Sequence, residues 1–496
     1  MTAADELRAA VRGQQWAAVD RLFDQHFFAL LLTSPELVRD AFAALPNEWY
    51  RQHPRHVMTR GIAAVTGPLP LVAAEAEEAF AAWVASQPEP AARDLLGVLA
   101  ARLRALMSAR RFFEADTIAD RMRETIRGAR EHAGFTDVLP PALLRIGTAK
   151  LLVGDVLTAF QMFADAHRWA NAGPIHPIDP MVRDHLALTA ALNEDYIAAV
   201  QWLEGRGERT TREDGVRYRY ETVGLVARAL IAVGQADSAQ ASAAVDNADD
   251  EGTRLSELWW VAVHARARYE LFWGDPHRGV SLIRRSRQLH AAGAMPVLAA
   301  KLLRADMADL LMMLGELPAA ARELDALGVT QPHPAVQASK IRLELLRGRV
   351  DEAAQQLADV ASAEGLGPAL SVLGAQVERL AGGEVSQRAA RRAAFFVRDS
   401  GARSALLEAD HELRAQLLAL MGGEVVPAGN DYGYRFRPRL TRRESEVLRA
   451  LGQFETVRDI AAALHVSPNT VKTHLQALYR KFGVHTRDEV LRHLTE

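Results

Sequence analysis

Asn469, Lys472, Thr473, Gln476 and Arg480 recur at spacings that put them on one side of a helix. They are short amides and hydroxyls with two cations, groups that can hydrogen-bond base edges and neutralise phosphates in the major groove of duplex DNA. The opposite side carries Val471, Leu475, Leu478 and Phe482, an apolar stripe at i, i+4, i+7 and i+11 that would hold such a helix by its back. Ser467-Pro468 supplies its start, an N-cap followed by proline at the first helical position.

The flanking residues predict the supports. Thr456 caps a shorter helix with inner residues Ile460, Ala461 and Leu464, and a tight turn at His465-Val466 follows. Upstream, Thr441-Arg442-Arg443-Glu444 has the form of a capping box, opening a helix with Val447, Leu448 and Leu451 inside. Downstream, Thr486-Arg487-Asp488-Glu489 opens a fourth helix with Val490, Leu491 and Leu494. Residues 439–496 are therefore expected to form a small four-helix domain.

Other chemistries find no residues to carry them. The chain has no cysteine, so disulfides, thiolate metal sites and cysteine nucleophiles are excluded. Its 16 histidines are scattered with no H-E-x-x-H spacing. No G-x-x-x-x-G-K-[ST] phosphate loop occurs, and Gly128 to Gly134 does not supply one. No enzyme, cofactor or metal site is expected. The net charge of −3 conceals an asymmetry: residues 430–496 carry 12 Lys/Arg against 8 Asp/Glu, whereas residues 1–429 carry 47 against 54. A basic tail on an acidic body fits a tail that meets an anion. The N-terminus lacks the order of a secretory signal, and the run Phe27 to Leu32 is too short to span a bilayer. A cytoplasmic protein without a membrane partner is expected.

Residues 1–420 read as all-α. Ala, Leu, Arg and Glu dominate, and apolar residues keep helical spacing, as in Leu302, Leu303, Met307, Leu310, Leu311 and Leu314. A break, a tiny residue five positions on and a mostly apolar one nine positions on recur along the chain. The instances are Gly154-Asp155 with Ala159 and Phe163, Glu194-Asp195 with Ala199 and Leu203, and Gly234-Gln235 with Ala239 and Ala243. Gly274-Asp275 with Gly279 and Ile283, Gly315-Glu316 with Ala320 and Leu324, and Gly348-Arg349 with Ala353 and Leu357 follow, with a weaker copy at Gly13, Ala18 and Leu22. The starts differ by 40, 40, 40, 41 and 33 residues, the period of stacked helical hairpins. The tiny residue would let the partner helix approach, and the one four further on would fill the pair's core. The alternative is an Ala-rich bundle without a true repeat. Residues 421–438, with Gly422, Gly423, Pro427, Gly429, Gly433 and Pro438, read as a linker.

Leu440 to Leu448, Asp459-Ile460-Ala461, Val466 to His474 and Lys481-Phe482-Gly483-Val484 together resemble the LuxR/GerE-type helix-turn-helix, ungapped over about 440–491. The resemblance implies base reading by Lys472, Thr473 and Gln476, and phosphate contacts by Arg458, Asn469, Thr470, Arg480 and Lys481. It also implies a dimer contact on the fourth helix, at Val490, Leu491 and Leu494. Phe454 and Val457 replace the family's usual Gly and Asn before the second helix, and Gln476 is neutral where some relatives carry a cation.

The segment from Leu143 through Ala166 resembles a tetratricopeptide repeat, with Leu143 and Lys150 where Trp and Tyr are usual. The region as a whole resembles the superhelical sensor of maltose-activator-like relatives without their P-loop ATPase. Such a superhelical array of antiparallel hairpins would present a groove for a small ligand, a peptide or a protein. Trp169, Trp259, Trp260, His264 and Arg268 are groove candidates, the alternative being tryptophans packed between hairpins. The implied function is a transcriptional regulator that binds promoter DNA as a homodimer, with RNA polymerase as a further partner. A TPR-like interaction scaffold with a secondary DNA-binding tail is the alternative.

Overall fold

A computed structural model describes residues 2–46, 49–50, 53–56, 59–60, 73–129, 136–204, 216–249, 253, 256–291, 293–327, 333–363, 366–382, 384–423, 426, 428–430, 442–482, 486–487 and 490. Every regular element among the described residues is a helix. No helix there is long and apolar enough to cross a membrane. The chain divides into two compact units, Met1–Tyr269 with Ser281–Leu303, and Glu270–Val280 with Arg304–Glu496.

The repeated breaks in the sequence are the turns of helical hairpins. Leu139–Val153 is followed by Val156–Ala170, Asp179–Leu192 by Tyr196–Glu204, and Val216–Gly234 by Ser238–Ala248, each pair packed together. At the turns one residue swings into the left-handed region: Gly154 (φ 89°), Glu194 (φ 61°), Gly315 (φ 77°) and Gly348 (φ 75°). At the first two an acidic residue then caps the next helix, Asp155 Oδ1 accepting from the Thr158 amide at 3.1 Å and Asp195 Oδ1 from the Ala198 amide at 3.0 Å; Glu316 makes no such side-chain cap, and Arg349 follows Gly348. Five residues past each turn, Ala159, Ala199, Ala320 and Ala353 are fully buried. Phe163, Ile283 and Leu324, nine residues past, are buried with them, while Leu203 and Leu357 are half-buried. The approach is close: a Cβ added at Gly147 would lie 2.4 Å from the Phe163 ring.

One repeat is out of phase with the sequence reading. The helix runs through Gly234, the left-handed residue is Ala236 (φ 56°), and Asp237 is the cap, accepting from the Gln240 amide at 3.0 Å. Ala239 is consequently exposed, and Ala241 and Val245 take the buried positions. Gly234 serves a different purpose, since a Cβ there would fall 1.9 Å from the Tyr196 ring. The weak first copy shifts by one residue in the same way, Gln14 (φ 51°) preceding buried Val19 and Phe23. A further copy has no glycine at all: Arg110 (φ 56°) precedes buried Ala115 and Ala119.

The second unit continues with Pro334–Leu346, Val350–Ala363, Pro368–Gly382, Gln387–Ser400 and His411–Leu420. Arg342, only 1% exposed, lies between the carboxylates of Asp309 and Glu408, themselves buried. The chain leaves His411–Leu420 through Gly422 (φ 93°) and Gly423 (φ 79°). It returns at Asn430 to the end of the helix Trp259–Phe272. The Asn430 amide donates to the Phe272 carbonyl, and Nδ2 donates to the carbonyls of Leu271 at 3.2 Å and Gly274 at 3.0 Å. Helix C-termini leave such carbonyls without intrahelical donors, so the asparagine acts as a cap supplied from far along the chain.

The phase shift has a measurable consequence. Gly234→Ala is expected to cost about 1–3 kcal/mol, because a methyl group would be forced into the Tyr196 ring. Ala236→Gly should fall within about 1 kcal/mol of the parent, relief of left-handed strain offsetting the lost buried methyl. Urea unfolding of the two variants checks the assignment, since a turn centred on Gly234 would reverse their order.

Candidate nucleic-acid interface

The C-terminal module is built from Arg442–Leu451, Val457–Ala463 and Pro468–Phe482. Its core consists of Val447, Leu448, Ala450, Leu451, Ile460, Ala461, Val471, Leu475, Leu478 and Val490. The second helix ends in a Schellman turn: His465 is left-handed (φ 52°), and the Val466 amide donates back to the Ala461 carbonyl at 3.0 Å. Thr456 Oγ1 accepts from the Asp459 amide at 3.2 Å, and Ser467 Oγ from the Thr470 amide at 3.1 Å. Both expected N-caps are thus formed.

Along Pro468–Phe482, Val471, Leu475 and Leu478 are buried, whereas Asn469, Lys472, Thr473, Gln476 and Arg480 are exposed. At 100° per residue the exposed five fall within an arc of about 100°, opposite the stripe, and extend over about 16 Å. Arg458 is exposed on the second helix. Among the described residues, no carboxylate pairs with Arg458, Lys472 or Arg480.

Local hydrogen bonds assign finer roles on this face. Thr473 Oγ1 donates to the Asn469 carbonyl at 3.0 Å, so outward it presents a methyl group and acceptor lone pairs. Thr470 has its amide and hydroxyl both engaged by Ser467, which makes it part of the cap rather than an open phosphate donor. Pro468 has no N–H, so Asn469 supplies the open amide at this helix end.

Two expected contacts go elsewhere. The ammonium of Lys481 lies 2.7 Å from Glu444 Oε2, a carboxylate whose side chain is 7% exposed. The lysine expected to hold a phosphate therefore ties the end of the third helix to the start of the first. Glu444 in turn makes this long-range pair, while Thr441, its expected capping partner, lies outside the described residues. Val490 is fully buried in the module's core, which removes it from a surface offered to a second copy. Leu491 and Leu494 lie outside the described residues, and so does the side chain of Phe482.

Arg487 is a residue whose part the sequence reading missed. Its guanidinium donates to the carbonyls of Leu451 at 2.7 Å, Phe454 at 2.5 Å and Glu455 at 2.5 Å, closing the end of the first helix and the turn after it. A basic residue beside a turn is the one local signal, and it does not name these acceptors.

The groove candidates of the helical region separate. Trp260 is fully buried, with no hydrogen-bond partner for its indole N–H among the described residues; it is a core residue and not a groove residue. His264 and Arg268 follow Trp260 at helical spacing and are half-buried, as is Trp169. Trp259 points to another side of its helix, onto a cavity of about 410 Å³ that it lines with Arg110 and His290.

Residues 438–494 match the family described as bacterial regulatory proteins, luxR family. Over 50 residues the chain is 50% identical to a probable transcriptional regulatory protein NarL of Mycobacterium tuberculosis, covering 10% of this chain and 23% of the relative. Over 58 residues it is 36% identical to the spore germination protein GerE of Bacillus subtilis, covering 12% of this chain and 78% of the relative. The chain thus spans about a quarter of the length of the NarL proteins it matches and over three quarters of GerE. With a helix-turn-helix of this geometry in the matched segment, the chain belongs to the luxR family of bacterial regulatory proteins.

Proposed function

We propose that this protein is a DNA-binding transcriptional regulator: the module 439–496 docks on promoter DNA, and the hairpin region 1–420, read as a TPR-like array, receives a signal. The observation that carries the proposal is the divided surface of Pro468–Phe482. Its apolar back is committed to the core while an unbroken polar front, about 16 Å long, faces outward.

The roles on that front follow from chemistry. Lys472 donates to guanine O6 or N7, or to another acceptor on a base edge, and Gln476 donates and accepts. Thr473, with its proton turned inward, offers its methyl to thymine or its oxygen to a base amine. The Asn469 amide, Arg458 and Arg480 bind phosphates and fix register, which carries affinity but little sequence information. Lys481 is left out of this set because its charge faces Glu444. Two copies of the module on DNA would meet half-sites a helical turn apart.

Three variants separate these roles, measured by fluorescence anisotropy on duplexes selected by the intact protein. Lys472→Ala should lose about 1–3 kcal/mol at one base pair and relax discrimination there. Arg480→Ala should weaken all duplexes alike and reduce the salt slope by about 1. Lys481→Ala should lower the free energy of unfolding, read by urea denaturation, by about 1–3 kcal/mol, with little change in affinity per folded molecule. Unchanged discrimination in Lys472→Ala would remove the base-reading role. A loss of affinity by Lys481→Ala without loss of stability would return that lysine to the DNA.

A further inference from the structure

Among the described residues, the guanidinium of Arg110 in the cavity beside Trp259 has no carboxylate partner. Arg110 lies at the turn between Ala92–Ser108 and Phe112–Gly128, in the left-handed conformation (φ 56°). Its Nη1 donates to the His290 carbonyl at 3.0 Å and its Nη2 lies 2.8 Å from His290 Nδ1. The guanidinium is a donor only, so Nδ1 is the acceptor and the imidazole is neutral. Burial, and then the Arg110 charge, hold His290 below the usual histidine range, in keeping with that tautomer. The imidazole is pinned on its face by Trp259, ring centroids 3.9 Å apart and planes 11° from parallel.

The chain also presses on the arginine from above. Gly293 has φ 148°, and a Cβ there would sit 2.7 Å from Arg110 Cδ. Backbone, imidazole and glycine together hold one guanidinium in one pose. Among the described residues no carboxylate pairs with it; Glu257, also on the cavity wall, is exposed to solvent. The remaining N–H groups of Arg110 meet no acceptor among the described residues and form a fork that fits a carboxylate or phosphate. Met107, Phe112 and Met295 line the same space with apolar, adaptable surface.

We propose that this cavity is a binding site for a small organic anion, a carboxylate or phosphate ester on an apolar body, with the anionic group on Arg110 and the body against Met107, Phe112 and Met295. The volume of about 410 Å³ is of the size that encloses one such molecule. Its place as the input of a regulator rests on the reading of the hairpin region as the signal-receiving part; the binding itself does not.

The test uses the full-length protein without DNA, titrated with 3-phenylpropionate, phenyl phosphate and the neutral 3-phenylpropanol, and read by tryptophan fluorescence and calorimetry. The two acids distinguish carboxylate from phosphate, and binding by either supports the site. At least one anion should bind at a single site, about tenfold or more tighter than the alcohol. Arg110→Met should bring that anion to the level of the alcohol, and Ala294→Trp, which puts an indole on the cavity wall and leaves the arginine in place, should abolish binding of all three. The proposal is overturned if the alcohol matches the anions, if Arg110→Met binds them as the parent does, or if none binds at millimolar concentration. Should Arg110→Met fail to fold, parental anion affinity in Ala294→Trp overturns it equally. A protein that binds no duplex still decides the cavity by these titrations, and a cavity that binds nothing leaves the regulator reading to the duplex measurements.

Discussion

The burial of Val471, Leu475 and Leu478 is the constraint from which the C-terminal module takes its meaning. Those side chains fix the rotation of the helix Pro468–Phe482 about its own axis, and with it the direction of every other residue on the helix. A rotation by one residue, about 100°, would bury lysine and glutamine and expose leucine. The hydrophobic effect thus aims the polar groups, although none of them takes part in it. The ion pair between Lys481 and Glu444 then ties the end of that helix to the first helix, whose own end the carbonyl contacts of Arg487 close.

The stripe was legible because helix geometry is local: period, cap and proline all lie within one short segment. The contacts of Lys481 and Arg487 were not, because their partners lie 37 and 36 residues away and any basic residue near a helix end looks alike in sequence. A resemblance carries over which positions matter, but not whether a given charge is already satisfied inside the fold. The same limit applies to Val490, apolar in either role and assigned to the core only when its neighbours are known.

The hairpin repeat shows the converse. Glycine was the visible marker, and it led the sequence reading astray at Gly234 and past Arg110, because Ala236 and Arg110 adopt the left-handed conformation without it. What persists across the copies with a left-handed turn is a buried residue five positions after it, alanine in all but the first copy, where it is Val19, whereas left-handed strain of about 1–2 kcal/mol can be borne by packing elsewhere. In such an array the buried residue is the better register mark and the glycine an optional relief. The cavity at Arg110 draws on this tolerance, since an arginine occupies the turn position that glycine fills elsewhere.

The cap that Asn430 places on the helix Trp259–Phe272 sets an upper bound on reach. From that pinned residue to the first described residue of the module, Arg442, the chain takes twelve residue steps, which even fully stretched cover only about 40 Å. The C-terminal module therefore begins no farther than that from the point where Asn430 is held. Three backbone carbonyls and one asparagine thus set how far from that helix end the module can stand.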